Sequence, residues 1–223
     1  MGGADLIITI TDRYNSEAFA AWFQARDIPL VLTVLGRGTA TTEILDYLNL
    51  EATEKSVLLC MTAHSPRLVR QAARELWLDV PGRGILMTVP VGSIGGKAAK
   101  DYLLQQEAEE PMEKALTHQL IVVITNQGYT DRVMNAARAA GATGGTTIHA
   151  KGTGTELAKK FFGVSIAEEK EIVLILTREE TRKPIMQAII REAGMHTEAQ
   201  ALTFSLPVSD LAGLRRLDAE NDQ

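Results

Sequence analysis

The stretch LIITIT, Leu6–Thr11, returns as LIVVIT at Leu120–Thr125. Working outward, EKSVLLCMT (Glu54–Thr62) is matched by EKEIVLILT (Glu169–Thr177). LGRGTATTE (Leu35–Glu43) is matched by AKGTGTE (Ala150–Glu156), and TVPV ending at Val91 by SLPV ending at Val208. The order is the same in both halves and the spacing stays near about 115 positions. Ordered self-similarity at one spacing is the mark of a duplicated unit.

Each half reads strand, helix, strand, irregular segment, strand, helix, strand. In the first half the spacing predicts these at Leu6–Thr11, Ser16–Ala25, Val31–Leu35, Val57–Thr62, Pro66–Leu76 and Ile85–Val89. In the second they fall at Leu120–Thr125, Asp131–Ala140, Thr146–Ala150, Ile172–Thr177, Arg182–Ala193 and Ala201–Leu206. Strand runs and helical periodicity alternate in the βαββαβ order of an α+β, ferredoxin-like domain with an antiparallel sheet. The expected organisation is a first domain at 1–96, a charged linker at 97–117 broken at Pro111, a second domain at 118–217, and a tail at 218–223.

A sheet with helices on one face and water on the other alternates apolar and polar residues. LIITI, VLLCM, LIVVI and IVLIL are nearly continuous apolar runs instead. Both faces are therefore expected to be buried, the second against another sheet, within the chain or between copies.

Composition narrows the function classes. The chain has 223 residues, a 45% hydrophobic share and a net charge of −5, which gives no electrostatic footprint for nucleic acid. The strands also lack the aromatics on which RNA bases stack. Cys60 is alone and inside an apolar strand, so disulfides and cysteine-metal centres are excluded and a buried thiol is expected. No apolar run is long enough to span a bilayer, and MGGADLIITI lacks a basic leader; a cytoplasmic protein without membrane insertion is expected.

The glycine-rich stretch AARAAGATGGTTIHAKGTGTE, Ala136–Glu156, does not fit a dinucleotide fingerprint. That motif needs a strand, then GxGxxG, then a helix, whereas here the helix comes first. Gly141 ends the helix, GATGG turns into the strand TTIHA, and KGTG follows it. Glycines in KGTG and LGRG either turn the chain out of a strand or let backbone amides approach a phosphate.

These motifs resemble the P-II signalling family, nitrogen-regulatory trimers of βαββαβ fold. The likeness is carried by AARAAGATGGTTIHAKGTG, EKEIVLIL and FSLPV in the second half and more loosely by the first. GTATTEILDYLNL (Gly38–Leu50) and KFFGVSIAEEKE (Lys160–Glu171) resemble a tandem subgroup in which the mobile T-loop is replaced. The resemblance implies a non-enzymatic regulator that binds ATP or ADP between neighbouring domains and controls a partner transporter or metabolic enzyme. It implies ligand-binding roles for Gly36, Arg37 and Gly38 after Leu35, and for Lys151, Gly152, Thr153 and Gly154. Arg83 and Gly84 before the last strand of the first half, and Arg215 after the second, complete that set.

The sequence departs from the family at the Gly-Lys pair before the last strand. Ala201 and Leu202 stand there in the second half, Gly84 and Ile85 in the first, with Arg83 one step away. Gly213 replaces one of the basic residues after that strand. The family's modified T-loop tyrosine has no counterpart, since Tyr47 lies in an amphipathic segment.

Other constellations read as structure. His64, His118, His149 and His196 show no metal-ligand spacing, and His149 is the nearest to the KGTG loop. Ser65 is the expected N-cap of a helix with Pro66 in its first turn, REETRKP a charged turn into a helix, and Phe19, Trp22 and Phe23 a core stripe. The leading reading is a P-II-like regulator acting as a homotrimer; the alternative is an assembly protein that kept the fold and lost the ligand site.

Overall fold

The computed structural model describes residues 3–28, 30–39, 54–63, 65–91, 94, 101, 103–104, 116–151 and 169–214. The first half supplies β1 (Ala4–Asp12), α1 (Ser16–Gln24), β2 (Val31–Gly38), β3 (Glu54–Ala63), α2 (Pro66–Glu75) and β4 (Ile85–Val91). The second supplies β5 (His118–Asn126), α3 (Thr130–Ala139), β6 (Thr146–Lys151), β7 (Glu169–Arg178), α4 (Glu179–Ala193) and β8 (Leu202–Val208). A short strand, β9 (Asp210–Ala212), follows. All the expected elements are present, and both halves run βαββαβ.

Two compact units form, and each draws a segment from the opposite half of the sequence. The first unit comprises residues 1–34, 55–115 and 208–223; the second comprises 35–54 and 116–207. In the first, strands run β2-β3-β1-β4-β9; in the second, β8-β5-β7-β6 is followed by the end of β2. With the last strand beside the first and the first beside the third, both orders are ferredoxin-like.

The register explains how apolar runs fill each unit. In the second unit Ile121 pairs with Ile175 and Val123 with Val173. These side chains pack with Val133, Met134, Ile185 and Ile189 of the two helices in one buried cluster. In the first unit Ile7, Leu58 and Cys60 pack with Phe19, Phe23, Leu68 and Ala72 in the same way. Residues of the opposite parity, Leu120, Val122 and Leu174, Ile8 and Val57, are buried too, as the continuous apolar runs require.

The two units repeat their polar fastenings. Lys55 pairs with Asp12 directly across β3 and β1, and Lys170 donates to Asn126 directly across β7 and β5. Thr11 Oγ1 donates to the Arg83 carbonyl at 2.6 Å, and Thr125 Oγ1 to the Ala199 carbonyl at 2.7 Å. In both, a hydroxyl at the end of the first strand ties down the loop before the last one.

One local expectation is sharpened and another corrected. Trp22 packs against the core from its margin and not within it: it is half-buried, its indole Nε1 donates to Glu75 Oε2 at 2.8 Å, and Arg26 stacks 3.8 Å over its ring. Nε1–H needs a polar partner, so the ring sits at the margin while Phe19 and Phe23 fill the interior. REETRKP is no turn: α4 begins at Glu179, three residues before the expected start. Glu179 and Glu180 favour the positive end of that helix, and Pro184 lies inside it, where its lack of N–H leaves the Glu180 carbonyl without the usual partner. Ser65 caps α2 as expected, accepting from Leu68 N at 3.3 Å.

Candidate functional site

The glycine strand of the first half is built into the second unit. Gly36, Arg37 and Gly38 lie opposite Ile148, Thr147 and Thr146 of β6. The next residue is held harder. Thr39 N and Oγ1 donate to the Gly145 carbonyl at 3.1 and 3.0 Å, and Gly145 N donates to Thr39 Oγ1 at 2.9 Å. Arg138, in the last turn of α3, donates to the Thr39 carbonyl. Gly145 is closely packed here: a Cβ would stand 3.0 Å from Met134 Sδ and 3.1 Å from the Leu174 carbonyl, so these neighbours would have to give by a few tenths of an ångström. GATGG therefore has a role that its sequence did not reveal: it grips the chain leaving β2.

Arg37 is exposed beside this grip. Lys151 is the last residue of β6, opposite Glu169. It lies four positions beyond the Thr147 level of Arg37, about 13 Å along the strand. The register thus puts Arg37 and Lys151 on neighbouring strands but at different heights. Gly152, Thr153, Gly154 and Arg215, like Tyr47, His64 and Pro111, lie outside the described residues.

A second feature of this unit has no signature in the local sequence. Glu171, buried on β7, reaches the start of α3, where Tyr129 offers no side-chain cap. Its Oε2 accepts from Gly128 N at 3.2 Å, Thr130 N at 3.3 Å and Thr130 Oγ1 at 2.7 Å. A helix N-terminus with free amides is an anion site. Here the anion is the protein's own carboxylate. His149 Nδ1 stands 3.8 Å from the other carboxylate oxygen, so a protonated His149 adds a weak ion pair. The only cue was EKE, which places an acid where the duplicate EKS has Ser56.

The remaining candidates lie in the first unit. Arg83 Nη1 donates to Asn15 Oδ1 at 3.3 Å, across from the 3-10 turn Arg13–Asn15. Gly84 has φ +147°, and a Cβ on it would meet the Ile10 carbonyl at 2.7 Å. Gly213, at φ +86°, presses on the same spot, with 2.1 Å from its ideal Cβ position to the Gly84 carbonyl. β9 delivers it there by pairing with β4, Leu86 opposite Ala212 and Thr88 opposite Asp210. Residues more than a hundred positions apart in the chain, Gly84 and Gly213, are thereby adjacent. In the second half Ala201 is buried in the core and Leu202, at the lysine position of the pair, is 49% exposed but apolar, so no charge is presented there.

Among the described residues these groups have the chemistry to hold an anion. Arg37 and Arg83 are permanent cations with multiple N–H donors, suited to phosphate or carboxylate oxygens. Burial pushes the Cys60 thiol up to about 12, so it stays protonated and inert. Among the described residues no group of three or more His, Cys, Asp or Glu is placed to hold a metal ion. No described helix is long and apolar enough to cross a membrane.

Residues 118–217 match the family described as "Nitrogen regulatory protein P-II". Over these residues the chain is similar to the P-II domain, which is the domain of a signal-transduction regulator. No curated protein matches the chain. Three solved structures are similar at low scores. A protein of unknown function from Galdieria sulphuraria is 9% identical, covering 93% of this chain and 99% of that one at a TM-score of 0.30. A candidate monooxygenase from Fusobacterium nucleatum is 9% identical, covering 95% and 94% at 0.29. Another from Lactobacillus acidophilus is 8% identical, covering 95% and 96% at 0.24. Scores of this size carry no argument about fold or activity.

Proposed function

We propose that the protein is a P-II-like regulator that binds a small anionic effector, an adenine nucleotide such as ATP or ADP, beside Arg37. Binding alters its hold on a partner transporter or enzyme, with nitrogen metabolism as the expected setting. The observation that carries this reading is the seating of Gly36–Gly38 on β6 of the P-II-like domain, with exposed Arg37 beside it. A guanidinium next to side-chain-free backbone suits a phosphate group. A differential affinity for two states of the chain beyond Thr39 would transmit the signal. A thermal-shift screen against ATP, ADP, AMP and cyclic dinucleotides tests it: a shift with one adenine nucleotide supports the reading, and none at millimolar ligand defeats it.

A second reading is favoured by two particular observations. Glu171 fills the anion position at the start of α3, and the apolar Leu202 stands where the family places the lysine of its Gly-Lys pair. Both suit an assembly protein that kept the fold without the ligand site. Failure of every nucleotide in the screen, with a stable oligomer retained, selects this reading.

A further inference from the structure

α2 carries a charged stripe that its duplicate lacks. Its arginines, Arg67, Arg70 and Arg74, are all exposed. At 3.6 residues per turn they fall within an arc of about 60° and span about 10 Å of helix. The opposite face is spent on the core, where Leu68, Val69 and Ala72 are buried with Phe19 and Phe23. Glu75, the acid of α2, is already engaged by Arg26 and by Trp22 Nε1. Among the described residues no acid pairs with Arg67, Arg70 or Arg74. In the register that aligns Val91 with Val208, the corresponding residues of α4 are Pro184, Gln187 and Arg191, and Arg191 is paired with Glu192. A chain of net charge −5 thus gathers three unpaired cations on one helix face of its first unit.

The stripe ends on a strained residue. Trp77 follows the end of α2 at φ +58° and is 59% exposed. Trp77 N donates to the Arg74 carbonyl at 3.4 Å and Leu78 N to the Ala73 carbonyl at 2.9 Å, the two bonds that close a helix through a left-handed residue. α3 closes through the same two bonds, with Gly141 in that place at φ +99°. Glycine takes this conformation freely, whereas a tryptophan is strained there. Val80, one turn further on with its amide on the Trp77 carbonyl, is 43% exposed. A strained ring left mostly in water does little for the fold and suits a contact made with another molecule.

We propose that this face, Arg67, Arg70 and Arg74 with Trp77 at its end, docks an acidic segment of another protein. Carboxylates of the segment meet the guanidinium groups in paired hydrogen bonds, and an apolar side chain lies on the indole. Arginine and tryptophan are the side chains that most often dominate contacts between proteins. Nucleic acid fits less well, since three cations on an acidic chain offer few phosphate contacts. A membrane surface fits less well too, because the apolar face of α2 is buried in the core and is not free to lie on lipid. The proposal rests on α2 and Trp77, not on nucleotide binding beside Arg37, so either can fail alone.

The test titrates the full chain into a fluorescein-labelled peptide, a run of glutamates interrupted by one leucine, and follows anisotropy at low ionic strength. Saturable binding is expected. A variant combining Arg67→Glu, Arg70→Glu and Arg74→Glu is expected to bind at least about tenfold more weakly with unchanged circular dichroism. Arg191→Glu, at the corresponding place on α4, is expected to bind as the wild type does. Trp77→Gly separates contact from structure: it is expected to raise the melting temperature while weakening the peptide. A lower melting temperature with unchanged affinity contradicts the role given to Trp77. Absence of saturable binding, or equal affinity in the wild type and the triple variant, overturns the proposal. Tighter binding of phosphatidylserine vesicles or of a single-stranded oligonucleotide, lost in the same triple variant, also overturns it by assigning the face to lipid or nucleic acid.

Discussion

Gly213 stands against Gly84 with no room between them: an ideal Cβ on Gly213 falls 2.1 Å from the Gly84 carbonyl oxygen and 3.2 Å from that of Leu78. The C-terminal segment thus closes on the loop before β4 backbone to backbone. Gly213→Ala must therefore shift main chain, whereas Gly82→Ala, at a similar φ of +83° but with nothing within 4 Å, meets only conformational strain. The control is expected to cost about 1 kcal/mol, and Gly213→Ala roughly 1–3 kcal/mol more. Urea denaturation of the two variants measures the difference.

Thr39 is fixed to Gly145 by reciprocal bonds and to Arg138 through its carbonyl. Thr39→Val keeps the shape and removes the hydroxyl, leaving Gly145 N without its acceptor. The expected loss is about 1–2 kcal/mol, with faster hydrogen exchange at the Gly145 amide. Thr39→Ser is expected to retain most of the protection.

Glu171 satisfies two amides and a hydroxyl at the start of α3 from a buried position. Glu171→Ala strips three donors of their acceptor and is expected to cost about 2–3 kcal/mol. Glu171→Gln keeps an accepting oxygen but not the charge facing the helix dipole, and is expected to lie between. Thermal melts of the three proteins rank them.

The fold was legible because its signals are local: β-branched runs of strand length, helices with one apolar face, and Ser65 before Pro66. Repetition then fixed the βαββαβ order. β9 was missed because three residues with a glycine after them carry no periodicity. Their strand state exists only through pairing with β4, which lies over a hundred residues away. That Trp22 lies shallower than Phe19 and Phe23 was not legible, because helical spacing marks a face but not how deep each residue lies on it. The site was less legible still. The residues at Gly36–Gly38 were visible as glycines and an arginine, but Thr39, Gly145, Arg138 and Glu171 act through contacts between distant stretches.

Stability should also fall in mild acid through His118. Burial, followed by the nearby Arg178 guanidinium, holds its pKa below the ordinary 6.5. The folded state then binds fewer protons than the unfolded chain between those two values. Its penalty is absent above the unfolded pKa and fully present below the folded one, so stability drops as pH falls from about 6.5. His118→Asn is expected to flatten that part of the stability profile, read by denaturation at pH 7 and pH 5.

The central claim, an anionic effector bound beside Arg37, is tested most directly by calorimetric titration of ADP and ATP into the wild-type protein and Arg37→Ala. The account predicts saturable binding to the wild type, and an affinity at least about tenfold lower in the variant, the loss of roughly 1.4 kcal/mol. Equal affinities in the two proteins, or no binding heat at millimolar nucleotide, would contradict it.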